Sequence, residues 1–206
     1  MLNDINSKII TNQKIKMICF LAFVFIVCAS CNKSDTTDIR TDPNTGFDDD
    51  HKLPIRPGSH PETTDNIPHV QIDVNIIPEI HEEMIRSIYE ISGIEDRPSV
   101  IASWRGLWIS EDFTIQVPKA LISGREFGHI HDDGSLHIFL EPDRAKEAVE
   151  SGWAVFHPFA LAGDEEWEGF VMLYTPLTKH QLDITLQLIR EAYNYVTTGD
   201  ILRSMD

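Results

Sequence analysis

Three histidines lie close together around a tight turn in the middle of the chain. His129 and His131 alternate on the N-terminal side of Asp132-Asp133-Gly134, and His137 follows on its C-terminal side. The turn residues and the alternating apolar residues that flank them predict a β-hairpin with a three-residue loop. In this hairpin His129 lies opposite His137, so we expect the three imidazoles to emerge on one face of the sheet.

The register of the hairpin decides which other side chains share the histidine face. Keeping the apolar residues together places Ile130 and Ile138 on one face. Glu126 falls on this apolar face, where a carboxylate fits poorly. The opposite face has the polar and aromatic side chains, which are Arg125, Phe127, His129, His131, His137 and Phe139.

One interpretation of the histidine face is a divalent metal site. Neutral imidazoles at alternate positions of one strand, joined by a third from the neighbouring strand, are spaced to share one ion. His129, His131 and His137 would be the ligands, with His157 or an acid such as Glu126 or Asp133 nearby. Three protein ligands and an open position are typical of catalytic metals, so the pattern predicts a hydrolase or an oxygenase.

Other interpretations need no metal, and in one of them the histidines form a polar sheet face that caps a groove or bonds to the backbone. An imidazole oriented by Glu126 or Asp133 can act as a general acid or base, whereas Ser135 has no nucleophile-elbow sequence around it. The interpretation that we favour from the sequence is a binding surface for a small ligand. Imidazole and aromatic groups around one arginine suit a polar organic molecule or a carboxylate. The residues expected to contact the ligand are Arg125, Phe127, His157 and Trp108.

The N-terminus predicts where the protein is located. Lys8, Lys14 and Lys16 precede an apolar run from Met17 to Val27, which ends in small residues. This order of regions is typical of a secretion signal, and the apolar run is shorter than the about 17 residues of a membrane span.

The end of this signal resembles the lipobox of bacterial lipoproteins, since Ala29 and Ser30 precede Cys31. The resemblance implies removal of residues 1–30, an acyl chain such as palmitate on Cys31, and a location in the cell envelope outside the cytoplasm. Cys28 departs from the leucine usual in this motif. The other two of the three cysteines, Cys19 and Cys28, lie in the segment to be removed, so the mature chain has no disulfide and no cysteine ligand.

The charge of the chain excludes nucleic-acid binding. Cleavage before Cys31 removes three of the 17 basic and one of the 33 acidic residues, which leaves a formal charge of about −18. Such a surface repels phosphates and anionic headgroups. The expected partners are therefore the membrane, through the lipid anchor, and a small molecule.

The rest of the chain predicts a tether and one domain. Residues 31–68 are rich in Asp, Thr, Pro, Asn and Gly, and we expect an acidic disordered tether. Residues 69–206 alternate helical and strand patterns, with strands expected at 100–109 and 113–117 and a last helix from about Thr178 to Thr198. This order predicts a single α+β domain, an antiparallel sheet with helices packed on one face.

The motifs of this domain resemble those of the luciferase domain, or luciferase family proteins. The resemblance covers roughly Pro98 to Gly199. It includes Gly124-Arg125-Glu126-Phe127-Gly128-His129-Ile130-His131, Asp133-Gly134-Ser135-Leu136-His137, Gly152-Trp153, His157-Pro158 and the C-terminal Leu188-Ile189-Arg190. The activity of this family is uncharacterised, so the resemblance implies no particular reaction. A family name alone does not identify a functional site.

Overall fold

The computed structural model describes residues 52–101, 104–163 and 165–197. The predicted signal peptide, lipobox and first part of the tether lie outside the described residues. In chain order the elements are α1 (Pro78–Tyr89), β1 (Ile94–Pro98), β2 (Arg105–Ile109), β3 (Glu126–Ile130), β4 (Leu136–Phe139), α2 (Pro142–Glu150), β5 (Ala154–Phe156), α3 (Pro158–Leu161), β6 (Phe170–Leu173) and α4 (Lys179–Val196), with short 3-10 turns at Pro118–Ala120 and Glu165–Trp167.

The strands form one antiparallel sheet in the order β1-β2-β3-β4-β6-β5. Neighbouring strands pair antiparallel throughout. The prediction of an α+β fold with an antiparallel sheet is confirmed. The histidine hairpin, β3 and β4, lies at the centre of the sheet, where every residue of both strands is buried.

The hairpin has the predicted register. His129 pairs with His137 and Ile130 with Leu136, and the N–H of His131 donates to the carbonyl of Ser135 at 2.8 Å. Gly134 adopts a φ of +80° in the turn, a left-handed conformation that glycine tolerates best. The three-residue loop therefore puts His129 and His137 side by side, as the sequence predicted.

A long C-terminal helix covers one face of the sheet. It begins after Thr178, whose side chain accepts a hydrogen bond from the N–H of Gln181 and caps the helix. Its apolar stripe is buried together with that of α1, which starts at Pro78. Burial of each large side chain contributes about 1.5–3 kcal/mol. The buried apolar residues of the two helices include Ile80, Met84, Ile88, Leu182, Leu186, Ile189, Tyr193 and Val196.

A β-bulge corrects the predicted faces of two residues. Strand β2 pairs Leu107 with Gly128 but Trp108 with Glu126, so Phe127 is an extra residue between two pairs. The ring of Phe127 lies 5.7 Å from that of Tyr193 in the helical layer. Glu126 instead lies on the side of His129. The predicted places of Phe127 on the histidine face and of Glu126 on the apolar face were both wrong.

The segment from residue 52 to residue 72, which we call the strap, packs onto the domain. Leu53 and Arg56 are buried, and the carbonyl of Pro54 accepts a hydrogen bond of 2.6 Å from the indole of Trp153. The strap then turns back on itself between Thr63 and Gln71. A disordered tether reaching residue 68 was therefore wrong for residues 52–68.

Two other predictions of secondary structure differ from the structure. Residues 113–117 form one isolated bridge, Ile115 to Thr197, instead of a strand, and β1 occupies residues 94–98, where no strand was predicted. The side chain of Arg125 explains the first difference, because its guanidinium donates to the carbonyl oxygens of Ser110 and Phe113 and holds this segment as a loop. Among the described residues, no helix is both long and apolar enough to cross a membrane.

Candidate functional site

Three ring nitrogens converge between β3 and β4. The Nδ1 atom of His137 lies 3.2 Å from Nε2 of His129 and 3.1 Å from Nε2 of His131. The three rings are no more than 4% exposed. The alternation of side chains along β3 and the cross-strand pair with β4 bring these atoms together, so the predicted convergence of the three imidazoles is confirmed.

The second ring nitrogen of His131 is held by the turn of the hairpin. Its Nδ1 atom lies 2.8 Å from Oγ of Ser135. The hydroxyl of Ser135 in turn lies 2.6 Å from Oδ1 of Asp133, which also accepts from the N–H of Ser135 at 2.8 Å. Since the hydroxyl donates to the carboxylate, it accepts from Nδ1–H of His131, and the lone pair of His131 is then on Nε2.

The second ring nitrogen of His129 faces a buried carboxylate. Its Nδ1 atom lies 3.5 Å from Oε1 of Glu126, and neither atom has a hydrogen-bond partner within the described residues. The other carboxylate oxygen of Glu126 accepts from the N–H of Val100 at 2.9 Å. Burial acts to raise the pKa of Glu126, but the nearby imidazole of His129, the side chain of Ser99 and the N–H of Val100 outweigh it and lower the pKa. Glu126 is therefore an ionised carboxylate beside His129.

The second ring nitrogen of His137 meets a histidine from the strap. Its Nε2 atom lies 3.0 Å from Nδ1 of His69, and the two rings are nearly parallel, at 12°. His69 is 3% exposed. It is held in place by its neighbour Gln71, whose N–H donates to Oδ2 of Asp133 at 3.0 Å. The strap and the hairpin turn are therefore joined at the site.

A fifth imidazole, His157, approaches His137 from the start of α3. The ring centroids of the two lie 4.7 Å apart. Its Nδ1 atom accepts a hydrogen bond of 3.2 Å from the N–H of Phe159, which caps α3. Because Nδ1 accepts, the proton of the neutral ring is on Nε2. His157 thus belongs to the cluster, but its Nε2 atom, which does not cap α3, has a hydrogen instead of a lone pair.

Four histidines of the cluster, His69, His131, His137 and His157, are neutral at pH 7. Burial, followed by repulsion from neighbouring imidazoles, lowers the pKa of His131 to about 4 and that of His157 to about 3. The same two causes hold the pKa of His137 well below its ordinary value. Burial also lowers the pKa of His69. Neutral imidazole is the form that binds metal ions.

The spacing of the three converging nitrogens suits a tetrahedral ion. A Zn–N bond of about 2.0–2.1 Å places neighbouring ligand nitrogens about 3.3 Å apart. The two separations at His137, 3.2 and 3.1 Å, are close to this value. The possible ligand atoms of His129, His131 and His137 all lie within 4.8 Å of one another, and His69, His137 and His157 form a second group by the same measure.

Trp104 covers the cluster on the side of β2. Its ring centroid lies 4.3 Å from that of His131 and 5.2 Å from that of His129. It also lines a cavity of about 280 Å³ together with Asp96, Arg97, Pro98 and Arg105. Trp104 thus separates the rings of His129 and His131 from an open depression on the surface.

Three residues that the sequence predicted as ligand contacts lie away from the cluster. Trp108 donates its indole N–H to the carbonyl of Pro98 and packs under Arg97. Arg125 donates to the carbonyl oxygens of Ile109, Ser110 and Phe113, and Phe127 lies in the core. Of the residues proposed for a site, the structure brings together His129, His131, His137, His157 and Glu126.

No sequence pattern indicated His69, and Trp108 was predicted at the site where Trp104 lies. His69 is 68 residues away from His137, and no spacing rule connects two positions so far apart. Residues 100–109 were predicted as one strand, but β2 begins only at Arg105. Trp104 lies before the start of β2, so the alternation of side chains along the strand does not determine its direction, and its ring lies against the histidines.

Comparisons with known proteins agree with the resemblance in the motifs. Residues 124–192 match the family model described as "Luciferase domain". Proteins named "Luciferase" from Armillaria gallica and Armillaria mellea are each 33% identical to this chain over 79 residues, and one from Neonothopanus nambi is 30% identical over 79 residues. No solved structure matches the chain.

These matches are partial. Each aligned stretch covers 35% of this chain and 29% of the two Armillaria proteins. The chain thus spans less than a third of the length of the curated relatives it matches. The matched segment contains His129, His131, His137 and His157, whereas His69 and Trp104 lie before it.

Proposed function

We propose that the domain is a metal-dependent enzyme that holds a divalent transition-metal ion on Nε2 of His129, Nε2 of His131 and Nδ1 of His137. One observation carries the proposal. Each of these three rings has its other nitrogen placed against an acceptor, namely Glu126, Ser135 or His69. Metal-binding histidines are typically fixed in this way, because a bond on the second nitrogen sets the tautomer and the orientation of the ring.

Hydrogen bonds between the rings do not account for the close approach of the three ring nitrogens of His129, His131 and His137. A neutral imidazole nitrogen has either one hydrogen or one lone pair. Nδ1 of His137 can therefore form one well-directed hydrogen bond, yet it faces two nitrogens at 3.1 and 3.2 Å. If His137 donates through Nε2 to His69, all three converging nitrogens have lone pairs. Three lone pairs that point to one place form a site for a cation.

The charge of the surroundings also favours a cation. Glu126 is fully buried, and among the described residues the groups that lower its pKa are the imidazole of His129, the side chain of Ser99 and the N–H of Val100. A buried carboxylate without a positive partner is costly. An ion bound to His129 would place positive charge one ring away from Glu126 and would strengthen donation from Nδ1 of His129.

Three neutral ligands leave the full charge of the ion available to a fourth, exchangeable ligand. When bound, such an ion polarises a small molecule and lowers the pKa of bound water toward about 7. The chain supplies a dry site, with Trp104 on one side and Phe170 next to His137 on the other. Activation of water corresponds to a hydrolase and activation of dioxygen to an oxygenase. The same open position serves the small-ligand binding that the sequence suggested.

Titration with Co(II) tests the proposal. The purified metal-free protein should bind one equivalent and develop the visible absorption of a four-coordinate ion with nitrogen ligands. The variant His180→Ala should behave like wild type, because His180 is an exposed residue of α4. Its ring contacts only that of Trp153 among the ring contacts of the described residues. A protein that binds no Co(II), or binds it equally well after the three ligands are replaced, would contradict the proposed function.

The name luciferase belongs to the relatives. The aligned part is about a third of this chain, so the relatives' activity is not transferred to it. The match is used only because the matched segment contains the three ligands. The ion retained by the protein as purified distinguishes the two reaction classes. Zinc favours hydrolysis, and iron favours reaction with dioxygen.

We also propose that the domain is attached to the outer side of a membrane through a lipid on Cys31. The support is the order of the N-terminal regions, with three lysines, an apolar run and Ala29-Ser30 before Cys31. The formal charge of the mature chain disfavours attachment by electrostatic attraction to anionic lipids. Anchoring would then depend on the acyl chains alone.

Expression in a bacterium that processes lipoproteins tests the anchor. Full-length protein should incorporate labelled palmitate and partition into the detergent phase, whereas Cys31→Ser should do neither. Cys19→Ser is the matched control, because Cys19 lies inside the predicted apolar run. Label in Cys31→Ser, or none in wild type, would contradict lipidation of Cys31.

A further inference from the structure

The second group of histidines raises the question whether the cluster holds two ions. His69, His137 and His157 have possible ligand atoms within 4.8 Å of one another. The hydrogen bond that Nδ1 of His157 accepts from the N–H of Phe159 puts the proton on Nε2. His157 therefore offers no lone pair to this group unless the cap of α3 is broken, and the group is not a second centre.

The geometry of the pair His69 and His137 is that of a direct hydrogen bond. The two nitrogens are 3.0 Å apart, the ring centroids are 5.2 Å apart, and the planes differ by 12°. Each ring nitrogen lies a little more than about 1 Å from its centroid, so the rings meet nearly end to end, which is the geometry of a linear N–H···N bond. Two rings that shared one ion at these nitrogens would meet at an angle instead.

We propose that His69 is a positioning residue of the metal centre. It accepts the Nε2–H of His137 and thereby fixes the tautomer in which Nδ1 of His137 faces the ion. The proposal rests on the proposed function. It adds a residue from outside the matched segment 124–192, so that the strap becomes part of the centre.

The contacts of the strap show how His69 is kept in place. On its C-terminal side, the side chain of Gln71 donates to Oγ1 of Thr175 at 2.6 Å and accepts from the N–H of Thr175 at 3.1 Å. On its N-terminal side, the N–H of Thr64 donates to the carbonyl of Val70 at 3.0 Å. These bonds fix the backbone on both sides of His69, so its ring has little freedom to leave His137.

Three variants of the strap test this role in the full-length protein by Co(II) affinity. His69→Ala should weaken binding by about 10- to 100-fold, the usual effect of losing a partner of a metal ligand. His69→Asn should stay within about threefold of wild type, because the amide oxygen of asparagine occupies the place of Nδ1 and accepts the same hydrogen. His60→Ala is the control, an exposed histidine of the same strap.

The absorption spectrum separates positioning from ligation. All three variants should keep the spectrum of wild type at saturation, since the ligand set is unchanged. Binding by His69→Ala that equals wild type, an asparagine variant as weak as the alanine variant, or a spectrum with one nitrogen ligand fewer would each overturn the role of His69. Failure of the proposed function differs from all of these, because wild type itself would then bind no ion.

Discussion

Replacing His137 by alanine should reduce the affinity for a divalent ion by more than a hundredfold. Structural zinc sites with four ligands bind with about 10–16 kcal/mol, so each ligand contributes on the order of 3 kcal/mol. His137 also belongs to both groups of histidines whose possible ligand atoms lie within 4.8 Å of one another. Its loss should therefore remove binding whichever group is used. Isothermal titration calorimetry of the metal-free variant with Zn(II) or Co(II) measures the change in affinity.

The variants His131→Ala and His157→Ala then distinguish the two groups. If the ion lies on His129, His131 and His137, the first variant should lose binding by the same factor as His137→Ala, and the second should retain it within about tenfold. The opposite result would place the ion between His69, His137 and His157. His180→Ala provides the unchanged reference, and thermal unfolding of each metal-free variant shows whether the fold is intact.

The centre of this site could be predicted because its residues are close in sequence. Asp132-Asp133-Gly134 determined the length of the loop, and the apolar residues on both strands determined the register. Together they placed His129 opposite His137, as the structure has it. The prediction needed only turn chemistry and the alternation of side chains along a strand.

The carboxylate at the site could not be placed by the same rule. Alternation put Glu126 on the apolar face, and only the bulge between the pairs Leu107–Gly128 and Trp108–Glu126 turns it toward His129. A bulge depends on how two strands pair, which the residues of one strand do not show. The poor fit of Glu126 in the predicted pattern was the local sign of this irregularity.

The position of His69 in the cluster depends on contacts between residues that are far apart in the sequence. His69 reaches His137 because the strap is bonded to Asp133 and Thr175. The composition of residues 52–68 resembles that of a disordered segment, but a few buried residues and hydrogen bonds are sufficient to hold it on the domain. Composition reports the average tendency of a segment and misses such specific contacts.

The metal-free protein should lose stability steeply as the pH falls below about 6.5. The folded-state pKa of His131 is lowered to about 4 and that of His157 to about 3, and that of His137 is also well below the ordinary value. In the unfolded chain each titrates near 6.5. Below that pH the unfolded state binds more protons than the folded state, so acid favours unfolding.

The expected slope follows from these three histidines. Each contributes about 1.4 kcal/mol per pH unit between its unfolded and folded pKa, so the three together contribute roughly 4 kcal/mol per unit. A domain stable by about 5–15 kcal/mol should then unfold within a few pH units of 6.5. Glu126, whose pKa is also lowered, adds to the loss only once the pH approaches the unfolded value of a carboxyl group.

Urea unfolding of the metal-free protein at a series of pH values measures this slope directly. Above about pH 6.5 the free energy of unfolding should be nearly constant, because both states hold the imidazoles neutral. Replacing His157 by glutamine should reduce the slope between pH 6 and 5 by about 1.4 kcal/mol per unit. A free energy of unfolding that stays flat from pH 7 to pH 5 would mean that the buried rings accept protons without unfolding, and the dry cluster of neutral imidazoles would not describe this protein.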